Sequence, residues 1–459
     1  MKRYWPTMLM ALVLAGLGGY LYFVEFPSER ARVQADEEEK QLLPFEEREI
    51  TGLTIRTETE HIVLSPGTDH SWRITAPVQA AADSREVRAL LRSLVLGKVS
   101  RVVEEHATAL VPFGLDNPAL VLTVQAGSRQ EALSLGDAGP ISSTLYAMRD
   151  SDRKVLLTDL SPSAFFNKTL LTFRKKEVLD FDRSETDRLR FTYPKTEIVL
   201  HRIRDHGKRP WQISFPVEAK ADQTAVNSML FQLQDLKALG FIDPEPERNT
   251  LAKQLGKPKV KITVYEDGAT QTLKLFHPDP SSGEAYAVTS KTDPIYRIIP
   301  SAIQQLTKDL FALRDKRLLG VDQEDIVILE VKTREDEYTL INQSEVWVLE
   351  DQPHETLNQQ AATLLVSRVA GLPAELRVVK KAGPLAPYGL TAPSAEFKAT
   401  GKDGTVRGRL VLGKRTGGLV YAIGPGLPGI YQARADILSQ IPSKGELLTK
   451  DPDQEAPAP

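Results

Sequence analysis

WRITAPVQAAADSREVRALLRSL, residues 72–94, reads as a strand, a proline, a helix cap and an amphipathic helix, and the pattern returns twice, as WQISFPVEAKADQTAVNSMLFQL at 211–233 and WVLEDQPHETLNQQAATLLVSRV at 347–369. Trp72, Trp211 and Trp347 stand 139 and 136 residues apart, and each is followed after 11 residues by a side chain able to cap a helix: Asp83, Asp222 and Asn358. Such residues accept hydrogen bonds from the orphan amides of a first helical turn. Val87, Leu90, Leu91 and Leu94 then fall at i, i+3, i+4 and i+7, as do Val226, Met229, Leu230 and Leu233, and Ala362, Leu365, Val366 and Val369. So narrow an apolar stripe predicts a helix laid on one face of a sheet.

Outward from this segment the register holds. Gly114, Gly256 and Gly389 follow the tryptophans by 42, 45 and 42 residues, and Tyr146, Tyr286 and Tyr421 follow those glycines by 32, 30 and 32. Alternating apolar residues before each tryptophan predict a three-stranded meander, and further strands follow each glycine. A short helix is predicted near each module's end, around 163–173, 301–313 and 436–441. One module is used three times. The fold class is α+β: three tandem repeats of a mostly antiparallel sheet with packed helices. A period of this length also excludes short-repeat solenoids, whose units cannot bury a face alone.

At the start, Thr7 to Val24 is an uncharged, apolar or small stretch of 18 residues behind Lys2 and Arg3, with Trp5, Tyr20 and Tyr22 near its ends. At about 1.5 Å per residue it extends roughly 27 Å, enough to cross a thin hydrocarbon core. The bulky residues at its far end do not suit a cleavage site. An uncleaved signal anchor is expected, single-pass in the cytoplasmic (inner) membrane, with the bulk of the chain extracytoplasmic or periplasmic by the positive-inside rule. The boundaries that follow are 1–26 for the cytoplasmic start and anchor, 27–47 for a charged juxtamembrane stalk, 48–180, 181–322 and 323–448 for the modules, and 449–459 for a disordered acidic, proline-rich tail.

Chemistry is harder to find. Lysine plus arginine (58) nearly balances aspartate plus glutamate (61), so no basic field gathers nucleic acid across the surface. Cysteine is absent, which removes disulfides, thiolate nucleophiles and sulfur-ligated metals. Gly408 to Lys414 has P-loop spacing, but Arg415 stands where a magnesium-binding hydroxyl is needed and the segment aligns with a strand. Gly424 to Gly429 fits a dinucleotide fingerprint, yet Pro425 and Pro428 lack the amides that would face a pyrophosphate, and a hairpin tip is the better reading. No two of the seven histidines share the four-residue spacing of zinc ligands on a helix. Glu104-Glu105 and Asp322-Glu324-Asp325 read as solvated loops, and Arg174-Lys175-Lys176 and Arg314-Asp315-Lys316-Arg317 as basic module ends facing the next module or an anionic partner. Catalytic, cofactor and metal residues are therefore expected to be none.

Trp before a proline, Phe113-Gly114-Leu115-x-x-Pro118, Leu135-Gly136, Tyr146-Ala147 and the run Leu313 to Leu319 together resemble the bacterial domain-of-unknown-function 4340 family over roughly residues 48–448. That resemblance implies a membrane-anchored envelope protein of the kind encoded beside ABC-type export permeases and gliding-motility-type transporter auxiliaries. The expected function is a non-enzymatic interaction or accessory component of such a complex. Binding of envelope glycan or polymer is the alternative and an atypical hydrolase the third. The membrane and an ABC-type permease complex are the expected partners.

Overall fold

A computed structural model describes Met10, Leu14, Leu17 and residues 40–448, except 70, 142, 205, 206, 208, 244, 245, 282, 291–293 and 380–382. Among the described residues no helix is long and apolar enough to cross a membrane. The Thr7–Val24 span lies outside them apart from Met10, Leu14 and Leu17, which are helical and exposed. The expected tail lies outside them too. Two compact units are present, one of Met1–Val178, Lys237–Gln254 and Asp293–Ile298, the other of Leu179–Leu236, Leu255–Thr292 and Ile299–Pro459.

The first module runs β1 (Gly52–Arg56), β2 (His61–Pro66), β3 (Trp72–Ala76), β4 (Ala80–Ala81), α1 (Ser84–Leu96), β5 (Val99–Glu104), β6 (Leu120–Ala126), β7 (Arg129–Ala138), β8 (Leu145–Arg149), β9 (Val155–Thr158) and α2 (Leu170–Phe173). Its sheet has the order β4-β3-β2-β1-β6-β7-β8-β9-β5. Two meanders are thus joined at β1 and β6, and the strand after the helix crosses to the far edge.

The second module repeats this with β10 (Thr186–Thr192), β11 (Glu197–Arg202), β12 (Trp211–Phe215), β13 (Ala219–Lys220), α3 (Gln223–Gln234), β14 (Gly240–Ile242), α4 (Glu247–Gln254), β15 (Val260–Glu266), β16 (Ala269–Phe276), β17 (Ala285–Thr289), β18 (Ile295–Ile298), α5 (Ser301–Leu306) and α6 (Leu310–Leu313). Its order is β13-β12-β11-β10-β15-β16-β17-β18-β14. The third has β19 (Ile328–Thr333), β20 (Glu337–Gln343), β21 (Val346–Leu349), α7 (Gln359–Gly371), β22 (Leu376–Val379), β23 (Ala395–Thr400), β24 (Val406–Thr416), β25 (Leu419–Gly424), β26 (Leu427–Arg434) and α8 (Lys444–Leu448). Eight strands lie in the order β21-β20-β19-β23-β24-β25-β26-β22. Every pairing between the strands for which a register is given is antiparallel.

The alternation read from sequence faces these sheets toward their helices. The predicted stripe residues of α1, α3 and α7 are all buried. Each fully buried valine, leucine or methionine contributes about 1.5–3 kcal/mol.

Three expectations change. The meander gains a fourth short strand in the first two modules, and an edge strand (β5, β14, β22) follows each main helix. The single terminal helix becomes two short pieces, for example α5 and α6. The stalk boundary at 47 moves: Leu42, Leu43 and Phe45 are buried in the first core, and the aligned Leu318, Leu319 and Val321 belong to the third core instead of lying before it. In the second copy Val178, Leu179 and Phe181 are buried at the matching places. The first and third modules therefore begin with an apolar pair that the sequence reading assigns to the preceding stretch, because two residues are too few to show a period.

Candidate functional site

The repeated landmarks hold the fold together. Trp72, Trp211 and Trp347 are 7%, 2% and 4% exposed, which makes them core aromatics. Asp83 accepts hydrogen bonds from the amides of Arg85 and Glu86, Asp222 from Ala225 and Asn358 from Ala361. The residue after each cap matters as much. Gln223 accepts from the Trp211 amide at 2.7 Å and donates to the Trp211 carbonyl at 2.9 Å; Gln359 does the same to Trp347 at 2.8 and 2.8 Å; and the Ser84 hydroxyl accepts from the Trp72 amide at 2.9 Å. A glutamine amide thus stands in for a neighbouring strand. The sequence signal was there, twelve residues after each tryptophan.

Two glycine landmarks form a matched pair. Gly114 and Gly389 have φ of 64° and 71° and end short 3-10 turns carrying Leu115 and Leu390, both buried. A Cβ on Gly136 would run into the Phe113 carbonyl, and one on Gly413 into that of Tyr388. The turn backbone rests directly on the strand, so only glycine fits under it. Phe113 meets Tyr146, and Tyr388 meets Tyr421, edge to face at 5.1 Å in each case. The second copy departs from this. Lys257 replaces the leucine, Phe276 the strand glycine, Tyr286 donates to Glu284 instead, and the space beside Gly256 is open.

Module ends work as stitches. Within the first unit the Phe173 carbonyl accepts from the Asp83 amide, Arg174 bridges Ala82, and Lys176 accepts from the Ala238 amide beside β14. Arg174, 4% exposed, donates to both Asp243 oxygens at 2.7 and 2.8 Å and stacks at 3.9 Å on the Phe241 ring. Within the second unit Leu313, Arg314 and Lys316 repeat these roles toward Asp222, Ala221 and Ala374. Arg314 donates to the Gly426 carbonyl at 3.1 Å. In the third copy Leu447 accepts from Asn358 as Phe173 does from Asp83. The basic module ends accordingly face protein. Asp322, expected in a solvated loop, lies partly exposed before the turn Gln323–Asp325 and there pairs with Arg317 at 2.5 Å, and Arg317 is also forked onto Asp315. The Arg317 hydrogen bond holds the Asp322 carboxyl below its usual range, against the opposing effect of burial. Glu104 lies in β5, not a loop.

The motif look-alikes are structural. Gly408 to Lys414 lies inside strand β24. Gly424 pairs with Leu427 across the β25–β26 turn. Its glycines let the incoming peptide approach: a Cβ on Gly424 would strike the Leu318 carbonyl, and one on Gly426 that of Arg317. Among the described residues no group of three or more histidine, aspartate or glutamate side chains is placed to hold a metal ion. An open groove of about 720 Å³ beside Asp180–Ser184, Arg202, Gln234 and Glu266 has its polar groups engaged internally. Arg202, its pKa lowered by burial, donates to the carbonyls of Thr186, Arg209 and Arg183 and lies over Trp211, and Asp182 holds Ser184.

Comparison with known proteins agrees with the repeat. No curated protein matches the chain. A crystal structure of the DNA polymerase sliding clamp from Pseudomonas aeruginosa with ligand aligns over 86% of this chain and 93% of that one, at 7% identity and a TM-score of 0.15, too low to bear on the fold. The model of a domain of unknown function, DUF4340, matches residues 72–253, 211–376 and 347–451, each match opening on one of the repeated tryptophans. The chain belongs to the DUF4340 family.

Proposed function

We propose that the protein is a non-enzymatic, extracytoplasmic accessory of an ABC-type export or gliding-motility-type envelope complex, held in the cytoplasmic membrane by the Thr7–Val24 span. The observation that carries the reading is where the repeated side chains go. Caps and tryptophans are occupied by packing in each copy, and the paired glycines in the first and third, so what is multiplied is a scaffold that presents surface. Duplication of surface suits contact with a large partner, where linked modules raise effective concentration. The uncharged span, behind two basic residues, with Met10, Leu14 and Leu17 exposed at spacings of four and three, supports an anchor. The test is co-purification of the full-length chain from gently solubilised membranes after mild cross-linking. Recovery with a multi-span permease-type partner is expected, and repeated recovery alone would overturn the reading.

A further inference from the structure

The second module departs from its siblings at one place, and a groove lies there. In the first and third copies the turn carrying Leu115 or Leu390 covers the strand next to Gly136 or Gly413. A Cβ on Gly114 would lie 2.9 Å from the Asp137 amide, and one on Gly389 would lie 2.7 Å from that of Lys414. The aligned residue of the second copy is His277. With Lys257 replacing the plugging leucine and nothing within 4 Å of a Cβ on Gly256, that turn leaves the strand end uncovered.

What lines the space instead is Lys259, His277, Pro300, Ser301, Ile303, Gln304 and Thr307, around a cavity of about 520 Å³. This is the size range of small-molecule sites, which combine apolar walls with a few placed polar groups. Pro300 and Ile303 give the wall, and the Ser301 and Thr307 hydroxyls and the Gln304 amide are neutral hydrogen-bonding groups. Lys259, an exposed residue immediately before β15, adds a cationic side chain. Nε2 of His277 is buried with no hydrogen-bond partner among the described residues. A buried polar atom left in this state calls for a partner that the described residues do not supply. The lining residues include no carboxylate to compete for the lysine. We infer that this groove binds a small organic anion, a carboxylate or phosphate on an apolar body, with Lys259 and His277 on the anionic group and Pro300 and Ile303 against the remainder.

Isothermal titration of the full-length chain with benzoate, phenylphosphate and benzyl alcohol tests this. Saturable binding of benzoate or phenylphosphate is expected, and the better of the two identifies the headgroup. Lys259→Met and His277→Leu should each weaken it by about tenfold or more. Lys414→Met, at the aligned position of the third copy, should leave it unchanged. If His277→Leu unfolds the module, His277→Asp carries the same test, since it sets a carboxylate against the ligand as the first copy's residue would. Equal binding of benzyl alcohol, no binding of either anion, or full affinity in the Lys259 and His277 variants would overturn the inference.

Discussion

The glycine beneath the turn shows how one missing side chain fixes a motif. Gly136 and Gly413 bear a backbone carbonyl directly on their Cα, whereas Gly127, with φ of 60°, faces open space. Gly136→Ala should therefore destabilise the first module by about 2–3 kcal/mol through overpacking, and Gly127→Ala by about 1 kcal/mol, from its backbone conformation alone. Hydrogen exchange of the β6 and β7 amides measures both, and equal losses would contradict the close approach. Asp322 gives the pH counterpart. Its carboxyl is held below the ordinary value of 3.8, so the stabilisation is present above that value and fades as pH falls through the lower, folded-state pKa. Protection of the neighbouring Arg317–Val321 amides, relative to their intrinsic exchange at each pH, should fall below about pH 4 in the wild type, and Asp322→Asn should remove that fall. At this scale the sequence was informative about caps and core tryptophans, because their chemistry is local. The role of Gln223 and Gln359 went unread although their spacing is regular, because their partners are backbone groups twelve residues back, which no residue type announces.

At the scale of elements, helices and meanders were legible because an apolar face repeats along them. Edge strands were not. In β5 only Val99 is buried, so no alternation marks it, and its place at the far edge comes from pairing with β9. The stitches were legible only as basic module ends facing the next module or an anionic partner: the sequence does not show that Phe241 and Asp243 are what close on Arg174. Loss of a partner from an ion pair this buried is expensive. Arg174→Met, which retains apolar bulk but leaves Asp243 unpaired, should destabilise the β14–β18 pair by about 2–4 kcal/mol. Arg174→Lys should recover only part of that, lacking the planar fork and ring stacking. Faster exchange at the Phe241 amide checks this, and unchanged protection would show that the contact contributes little. The groove beside His277 was illegible for a different reason. It arises where a repeat breaks, and a search for shared landmarks discards the breaks.

For the whole molecule, the claim beneath everything else is that one topology is built three times, with the first strand of each module turned against the strand that follows the glycine turn. Recurrence announces three copies, while strand order follows only from the joint between meanders: β1 with β6, β10 with β15 and β19 with β23. The chain has no cysteine, so engineered pairs report this joint without background. Thr54 faces Thr123, Arg190 faces Thr263 and Glu330 faces Lys398 at equivalent register positions. Directly opposed residues of antiparallel strands lie within reach of a disulfide. The decisive measurement is oxidation of the three double-cysteine variants, with mass-spectrometric mapping of the bonds formed. Cross-linking within the same molecule in all three is predicted. A single pair that stays reduced in folded protein while the other two close would contradict a common fold.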